Sequence, residues 1–367
     1  MRTGQILLAF IFLAILPSAA FAHQYPAGFK GFADSASCAP CHKAIYDEWS
    51  ASMHSKSSRA SDPAHNAVFS AFSQSMAKTG KKAPYFCASC HNPASEGAAK
   101  TYSSMPGIPC TFCHSEEGIT DGKMFNTYKI ATTITSSSAS SAQEAPHEVS
   151  QWSFAQPYMM CMGCHGKMVN GKGTVICSAD LEGYSDCVKC HMEEKAGPPA
   201  EGSAKSSHYS HFFPGGHDKD MLQKGISLSL GAEMGKLIVI IKNDNPHFFP
   251  STNPMRAAYL KVEVLDKEGN PLFENPAPAP GQKEMFMRVF SADGKVGVPT
   301  WEAKEALDSR INSHEERTLT YDLPKGAAMA KAAVYYRLVT PAAAAKLGIP
   351  AKSAEPVKVS EAEIEIK

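Results

Sequence analysis

The chain has 367 residues, 43% of them hydrophobic, with 36 basic side chains balanced by 36 acidic ones. It is long enough for more than one core, and with no basic run and no interleaving of aromatic and basic residues it offers nucleic acid nothing to bind. Eleven cysteines and 14 histidines are the compositional signal.

Residues 1–22 read as a secretory signal peptide, with Arg2 in a short basic segment, an apolar run from Ile6 to Leu16, and Ala20-Phe21-Ala22 as the cleavage site before His23. That run is too short to span a bilayer, and no later stretch approaches the roughly 20 apolar residues of a transmembrane segment. The mature chain is therefore expected to be soluble and periplasmic or extracellular. Loss of Arg2 leaves it with 35 basic and 36 acidic side chains.

Residues 23–199 contain every cysteine, and ten of the eleven fall in five copies of Cys-x-x-Cys-His: Cys38/Cys41/His42, Cys87/Cys90/His91, Cys110/Cys113/His114, Cys161/Cys164/His165 and Cys187/Cys190/His191. Zinc needs four ligands per site, so five pairs would leave half a site over. Neither zinc nor a redox dithiol needs a histidine directly after the second cysteine of every copy. The pattern is the spelling of covalent c-type haem attachment, in which two thiols bind the porphyrin and the adjacent imidazole lies under the iron. Five haems c are expected, with His42, His91, His114, His165 and His191 as proximal ligands.

About 35 residues per haem cannot build an ordinary core around each one, so the porphyrins are expected to form the core, wrapped by short helices and loops. Cys90 and Cys110 are close in sequence, which predicts neighbouring second and third haems. The stretch from Thr132 to Ser141 reads as a mobile loop. The haem propionates make the holoprotein more acidic than its sequence, which favours partners that present lysines.

Distal ligands are expected from the remaining histidines: His54, His147, His208, His211 and His217, with His65 and His247 ranked lower. Lys43 to Met53 reads as helical, and at about 1.5 Å per residue His42 and His54 stand about 18 Å apart, so His54 must serve a different iron. His208 and His211 share a face if helical. The pair would ligate two haems, or one would ligate while the other bonds a propionate. His23 and His314 are expected at the surface. Methionines near the motifs (Met159, Met160, Met192) read as packing filler, and the eleventh cysteine, Cys177, as a small buried apolar residue.

Residues 200–224 form a His-rich connecting segment supplying haem ligands. From 225 to 367 the pattern turns to period two: Ile226, Leu228 and Leu230; Leu260, Val262 and Val264; Leu319, Tyr321 and Leu323. Leu237 to Ile241 suits a central strand, Ala333 to Val339 and Val357 to Val359 read as further strands, and Asp266 to Pro271 as a turn. The expected architecture is a haem-packed, mostly α and loop N-terminal domain followed by an all-β immunoglobulin-like sandwich.

Glu48-Trp49-Ser50-Ala51-Ser52-Met53-His54 resembles the W-x-x-S-x-H element of multihaem cytochromes related to hydroxylamine oxidoreductase and its tetrahaem electron acceptor, which implies a distal role for His54. The stretch His208 to His217 resembles the H-x-F-x-G segment that follows the last haem in that family and supplies ligands. Asn245 to Pro250, Arg256, Leu260 to Asp266 and Asp308 to Ile311 resemble a β-domain appended to many bacterial multihaem cytochromes. Pentahaem nitrite reductases of the superfamily carry lysine in place of one motif histidine; here all five motifs end in histidine.

These features favour an electron carrier passing electrons between a redox protein donor and acceptor in anaerobic respiration, through mainly bis-His haems, with no catalytic residue assigned. Two alternatives stand beside it. One is a reductase of nitrogen or sulfur oxyanions with one open haem. The other is a subunit of a membrane-associated respiratory complex or cytochrome filament, in which a histidine such as His23 caps a neighbour's haem.

Overall fold

The computed structural model describes residues 23–95, 107–136, 145–154, 156, 158–181 and 186–367. The expected signal peptide lies outside the described residues, as does the serine run beyond residue 136. Among the described residues two helices exceed two turns in the first part of the chain, α1 (Lys43–Ala51) and α2 (Pro63–Ala77). α2 starts where its sequence dictates: the Asp62 carboxylate accepts from the amides of Ala64 and His65, and Pro63 occupies the first turn, where a missing N–H is no loss.

Four short helices coincide with motifs: α3 (Ala88–His91), α4 (Cys110–Cys113), α5 (Met159–His165) and α6 (Cys187–His191). Helical spacing puts the two thiols of each motif on one face. Short strand pairs connect them: β1 (Glu116–Thr120) with β2 (Thr127–Ile130), β3 (Ile134–Ser136) with β4 (Val149–Gln151) in parallel, β5 (Lys167–Val169) with β6 (Val175–Ser178), and β7 (Glu194–Ala196) with β8 (Ser207–Tyr209). Part of the expected Thr132 to Ser141 loop is thus strand β3. This region also has a side-chain core of its own, which the porphyrin-core expectation omitted: Phe32, Phe112, Tyr128 and Ile130 are buried together, with Phe32 edge-on to Phe112 and Phe112 edge-on to Tyr128.

After α7 (Lys219–Lys224) the chain is β-rich. One sheet has the order β16 (Glu316–Asp322), β10 (Lys236–Asn243), β9 (Ile226–Glu233). The other runs β14 (Lys295–Val296), β13 (Met285–Ala292), β11 (Ala257–Leu265), β17 (Met329–Arg337), β18 (Val357–Glu365), with β12 (Pro271–Glu274) on β11 and β15 (Glu305–Asp308) on β13. Alternation decides the faces: Leu237, Val239 and Ile241 of β10 meet Leu260, Val262 and Val264 of β11 and Val334 and Tyr336 of β17 in one core. The Asp266 carboxylate closes the β11–β12 turn by accepting from the amide of Asn270.

Two apolar contacts tie the β-rich region to the motif region. Ala64 and Ala67 of α2 pack with Val339 and with Ala344 of α8 (Pro341–Leu347), and Met168 and Ile176 pack with Phe290 and Ala303. Among the described residues no helix is long and apolar enough to cross a membrane.

Candidate functional site

Each of the five motif histidines faces one histidine from outside the motifs, and no two share a partner. His42 faces His147 with ring centres 6.4 Å apart, His165 faces His54 at 6.2 Å, His114 faces His211 at 6.3 Å, and His191 faces His247 at 6.4 Å. Two metal–imidazole bonds of about 2 Å, plus the roughly 1.1 Å from each ring nitrogen to its ring centre, span about 6.2 Å. Four pairs therefore stand at the separation of two imidazoles on one metal ion. The fifth, His65 with His91, is closer, at 4.2 Å.

Hydrogen bonds set which nitrogen is free. Nδ1 of His42, His114, His191, His65, His211 and His247 lies 2.6–3.0 Å from the backbone oxygens of Pro199, Thr135, Pro214, Ser57, Tyr209 and Phe248 respectively, and Nδ1 of His91 lies 3.3 Å from that of Ser57. A proton held on Nδ1 by a carbonyl leaves the Nε2 lone pair for a metal. Desolvation, reinforced by the imidazoles of His165, His211, His91 and His191, pushes His54 down to about 3, and burial beside His114 pushes His211 down to about 4. Both are neutral at neutral pH, the form that ligates.

The backbone explains these positions. His42 is the N-cap of α1, and His54 follows the turn that ends it. Trp49 donates from its indole to Ile108 O at 2.9 Å, and His54 O accepts from Ile108 N at 2.9 Å, which clamps the W-x-x-S-x-H stretch against the approach to the third motif. Gly107 makes this possible: its φ is +72° and a Cβ there would lie 2.1 Å from His54 O. His211 is held by its amide, which donates to Glu48 Oε2 of α1 at 2.8 Å.

His247 lies on the loop between β10 and β11. The fully buried Asn243 donates from its amide to His247 O (2.8 Å), Asn312 O (2.8 Å) and Ile311 O (3.2 Å), and its oxygen accepts from Asn245. The β-rich region thereby presents an imidazole to the fifth motif.

Two histidines expected as ligands have other surroundings. His208 is buried, with Nδ1 2.9 Å from Gly197 O, while its Nε2 makes no hydrogen bond among the described residues and stands 3.5 Å from Glu48 Oε1, so it faces a carboxylate rather than a motif imidazole. The segment is extended (β8), so His208 and His211 do not share a helical face. His217 is exposed, with Arg256 and Asp62 as its charged neighbours. In their place stand His65 and His247, which the sequence ranked lower. The only advance signal for His247 was its place in Asn245 to Pro250.

His314 is exposed as expected. His23 is 4% exposed, contrary to its expected surface position: its Nδ1 accepts from Tyr128 N (3.0 Å), its Nε2 donates to Ser89 O (2.9 Å), and its ring packs on Phe112. Burial raises the Cys177 thiol to about 11, in keeping with an inert side chain.

Thiols of different motifs meet. The thiols of Cys38 and Cys110, of Cys161 and Cys187, and of Cys90 and Cys164 lie within hydrogen-bonding reach of each other. These contacts join the first motif to the third, and the fourth to both the second and the fifth. The second and third motifs, closest in sequence, are not joined this way among the described residues.

The ten expected attachment cysteines differ in exposure. Cys41 and Cys190 are exposed, whereas Cys38, Cys87, Cys90, Cys110, Cys113, Cys161, Cys164 and Cys187 are partly buried. The exposed pair are the second cysteines of the first and the last motif. In each of these motifs it is the first cysteine, Cys38 or Cys187, that turns to a neighbouring motif. The local backbone gives the second one little cover: Cys41 sits in the turn just before α1 and Cys190 in the last turn of α6, and neither helix buries any residue. Protein packing therefore does not enclose Cys41 or Cys190, and their role in haem attachment rests on their place in the motif.

Paired thiols with an imidazole directly behind them, each imidazole opposed by another, define a protein that holds haem through thioethers. A family model described as "Cytochrome c554 and c-prime" matches residues 37–115, the stretch with the first three motifs. The structure of a penta-heme cytochrome c552 from Thermochromatium tepidum is similar to this chain at 26% sequence identity, with a TM-score of 0.75, covering 91% of this chain and 99% of that one. A superoxide reductase in the oxidised state aligns at 8% identity and a TM-score of 0.18 over 38% of this chain, a likeness too slight to carry an argument. No curated protein matches the chain. The five motifs and these likenesses together support a multihaem c-type cytochrome that binds haem c covalently and takes part in electron transfer.

Proposed function

We propose that this cytochrome carries five haems c, each held between two imidazoles, and relays electrons between redox proteins outside the cytoplasm. The opposed histidines carry this reading. In motif order the pairs are His42 with His147, His91 with His65, His114 with His211, His165 with His54, and His191 with His247.

Haem c, when bound, supplies an iron that alternates between ferric and ferrous states. The chain's part is to keep both axial positions filled. Carbonyl groups hold the proton on Nδ1 and turn Nε2 inward, which fixes ring orientation and raises basicity. Imidazole on both sides leaves no position for a substrate, and this separates a relay from an oxyanion reductase. Bis-imidazole ligation also implies lower potentials than Met/His ligation.

The thiol contacts support a layout in which the first haem adjoins the third and the fourth adjoins both the second and the fifth, and the packing of Cys113 and Cys164 on one apolar core supports the third lying beside the fourth. The W-x-x-S-x-H stretch supports a relationship to the cytochromes of the hydroxylamine oxidoreductase group, with residues 225–367 as an appended sandwich domain. The apolar run from Ile6 to Leu16, followed by Ala20-Phe21-Ala22, supports export.

The test is a haem count and spin state on purified holoprotein. Pyridine haemochrome assay with intact mass should give five haems per chain, and the oxidised electron paramagnetic resonance spectrum should be wholly low-spin. Fewer than five haems, or a high-spin signal from native protein, would overturn the proposal.

A further inference from the structure

Arg256 directly precedes β11. Its charge is felt at His165 of the fourth motif and at His247, the partner of the fifth. One N–H donates to Ser251 O at 3.0 Å, and among the described residues no carboxylate forms an ion pair with it. Beside it, Tyr336 of β17 is 2% exposed and its hydroxyl has no hydrogen-bond partner among the described residues. A buried hydroxyl is normally satisfied.

Gly216 brings the two groups to one place. A Cβ at this residue would lie 2.5 Å from the Tyr336 hydroxyl, 2.9 Å from the Arg256 guanidinium carbon and 3.0 Å from Nη2. Both donors thus lie side by side against the backbone of Gly216, where a methyl group would press on them. A forked, permanently charged donor next to a single O–H donor fits a carboxylate.

We propose that Arg256 and Tyr336 form a carboxylate-binding site that takes a haem propionate where the fourth and fifth haems adjoin. The inference rests on the five-haem reading above. A guanidinium within reach of a buried propionate offsets its charge, so without it an uncompensated anion beside the iron favours the ferric state and lowers the potential.

The experiment compares wild-type holoprotein with Arg256→Gln, Arg256→Lys and Tyr336→Phe by haem count, spin state and spectroelectrochemical titration. Arg256→Gln should keep five low-spin haems and move the reduction equilibrium of one haem at least tenfold toward the oxidised form, about 59 mV for one electron. Arg256→Lys should recover part of the shift, and Tyr336→Phe should give a smaller one at the same haem. Shifted haem-methyl resonances, assigned through contacts to His165 or His191, tell which haem supplies the propionate.

Unmoved potentials with full haem content would overturn the site. So would a shift that appears only with a high-spin signal, since Arg256 would then be holding an imidazole. A wild-type potential that follows added formate while Arg256→Gln does not would also overturn it, by making the carboxylate a solute. If Arg256→Gln does not mature, unmoved potentials in Arg256→Lys and Tyr336→Phe overturn it equally. A wild-type haem count below five fails the underlying reading instead.

Discussion

Replacing Asn243 by Ala removes the anchor of the loop that carries His247. The side chain is fully buried and engages in five hydrogen bonds: three donated to the backbone oxygens of His247, Ile311 and Asn312, and two accepted from the backbone and side-chain amides of Asn245. At about 1 kcal/mol net for each, less what relaxation and entering water restore, the loop loses roughly 2–4 kcal/mol. Each 1.4 kcal/mol is about tenfold, so transient release of His247 should rise roughly 30- to 1,000-fold.

Carbon monoxide reports this release, because it binds ferrous haem only where an axial position opens. The reduced variant should take up one carbon monoxide per molecule at a rate raised by that factor. Asn275→Ala is the control: its buried amide donates to Leu260 O at 3.0 Å in the same β-rich region, away from the loop, so it should cost stability without speeding uptake. Equal uptake by wild type and Asn243→Ala, or uptake at several sites, would refute the reasoning.

Other outcomes follow from the same geometry. His211→Ala should produce one high-spin haem in the oxidised spectrum, whereas His208→Ala, which loses a contact to Glu48 rather than an axial position, should leave the spectrum low-spin. Burial lowers His23 to about 4 against an ordinary 6.5, so between those values the unfolded chain binds the extra proton. Stability is present above pH 6.5 and is lost as pH falls toward 4, by at most about 3 kcal/mol; urea midpoints across this range should show the slope in wild type and a flatter one in His23→Gln. Phe286→Ala, in the centre of the β core, should cost about 3–5 kcal/mol in the unfolding of the β-rich region.

The motifs and the period-two strands were legible because each is a local pattern. Leu260 to Val264 alternates apolar with charged residues in the sequence and Leu237 to Ile241 is a continuous apolar run, and both segments are buried at alternate positions of β11 and β10. Strand β13 was missed because it changes partners along its length, pairing with β11 at Met285 to Met287 and with β14 and β15 beyond, so its burial does not alternate. Helix α8 carried its signals openly, with Thr340 as N-cap, Pro341 in the first turn and Gly348 left-handed after the end, yet its alanine-rich body lacks an apolar stripe. A motif names its thiols without saying how deep they lie, so the exposure of Cys41 and Cys190 had no signal in the spacing. The opposing histidines were only partly legible. His54 could be argued from helix length, but the choice of His247 over His208 depends on where a loop between two sheets comes to rest, which no spacing within residues 200–224 encodes.

The opposed histidines also bind the chain to itself. His42 reaches forward to His147, His114 to His211 and His191 to His247, while His91 and His165 reach back to His65 and His54. These spans overlap like stitches in a seam, so no single cut between residues 42 and 247 yields two fragments whose pairs are all whole. Under the proposed ligation only the second haem (residues 65–91) and the fifth (187–247) could leave in a one-haem piece with both imidazoles, and removing the latter takes His211 from the third. During synthesis the first iron must wait more than a hundred residues for its second imidazole, whereas the fourth finds its own already made.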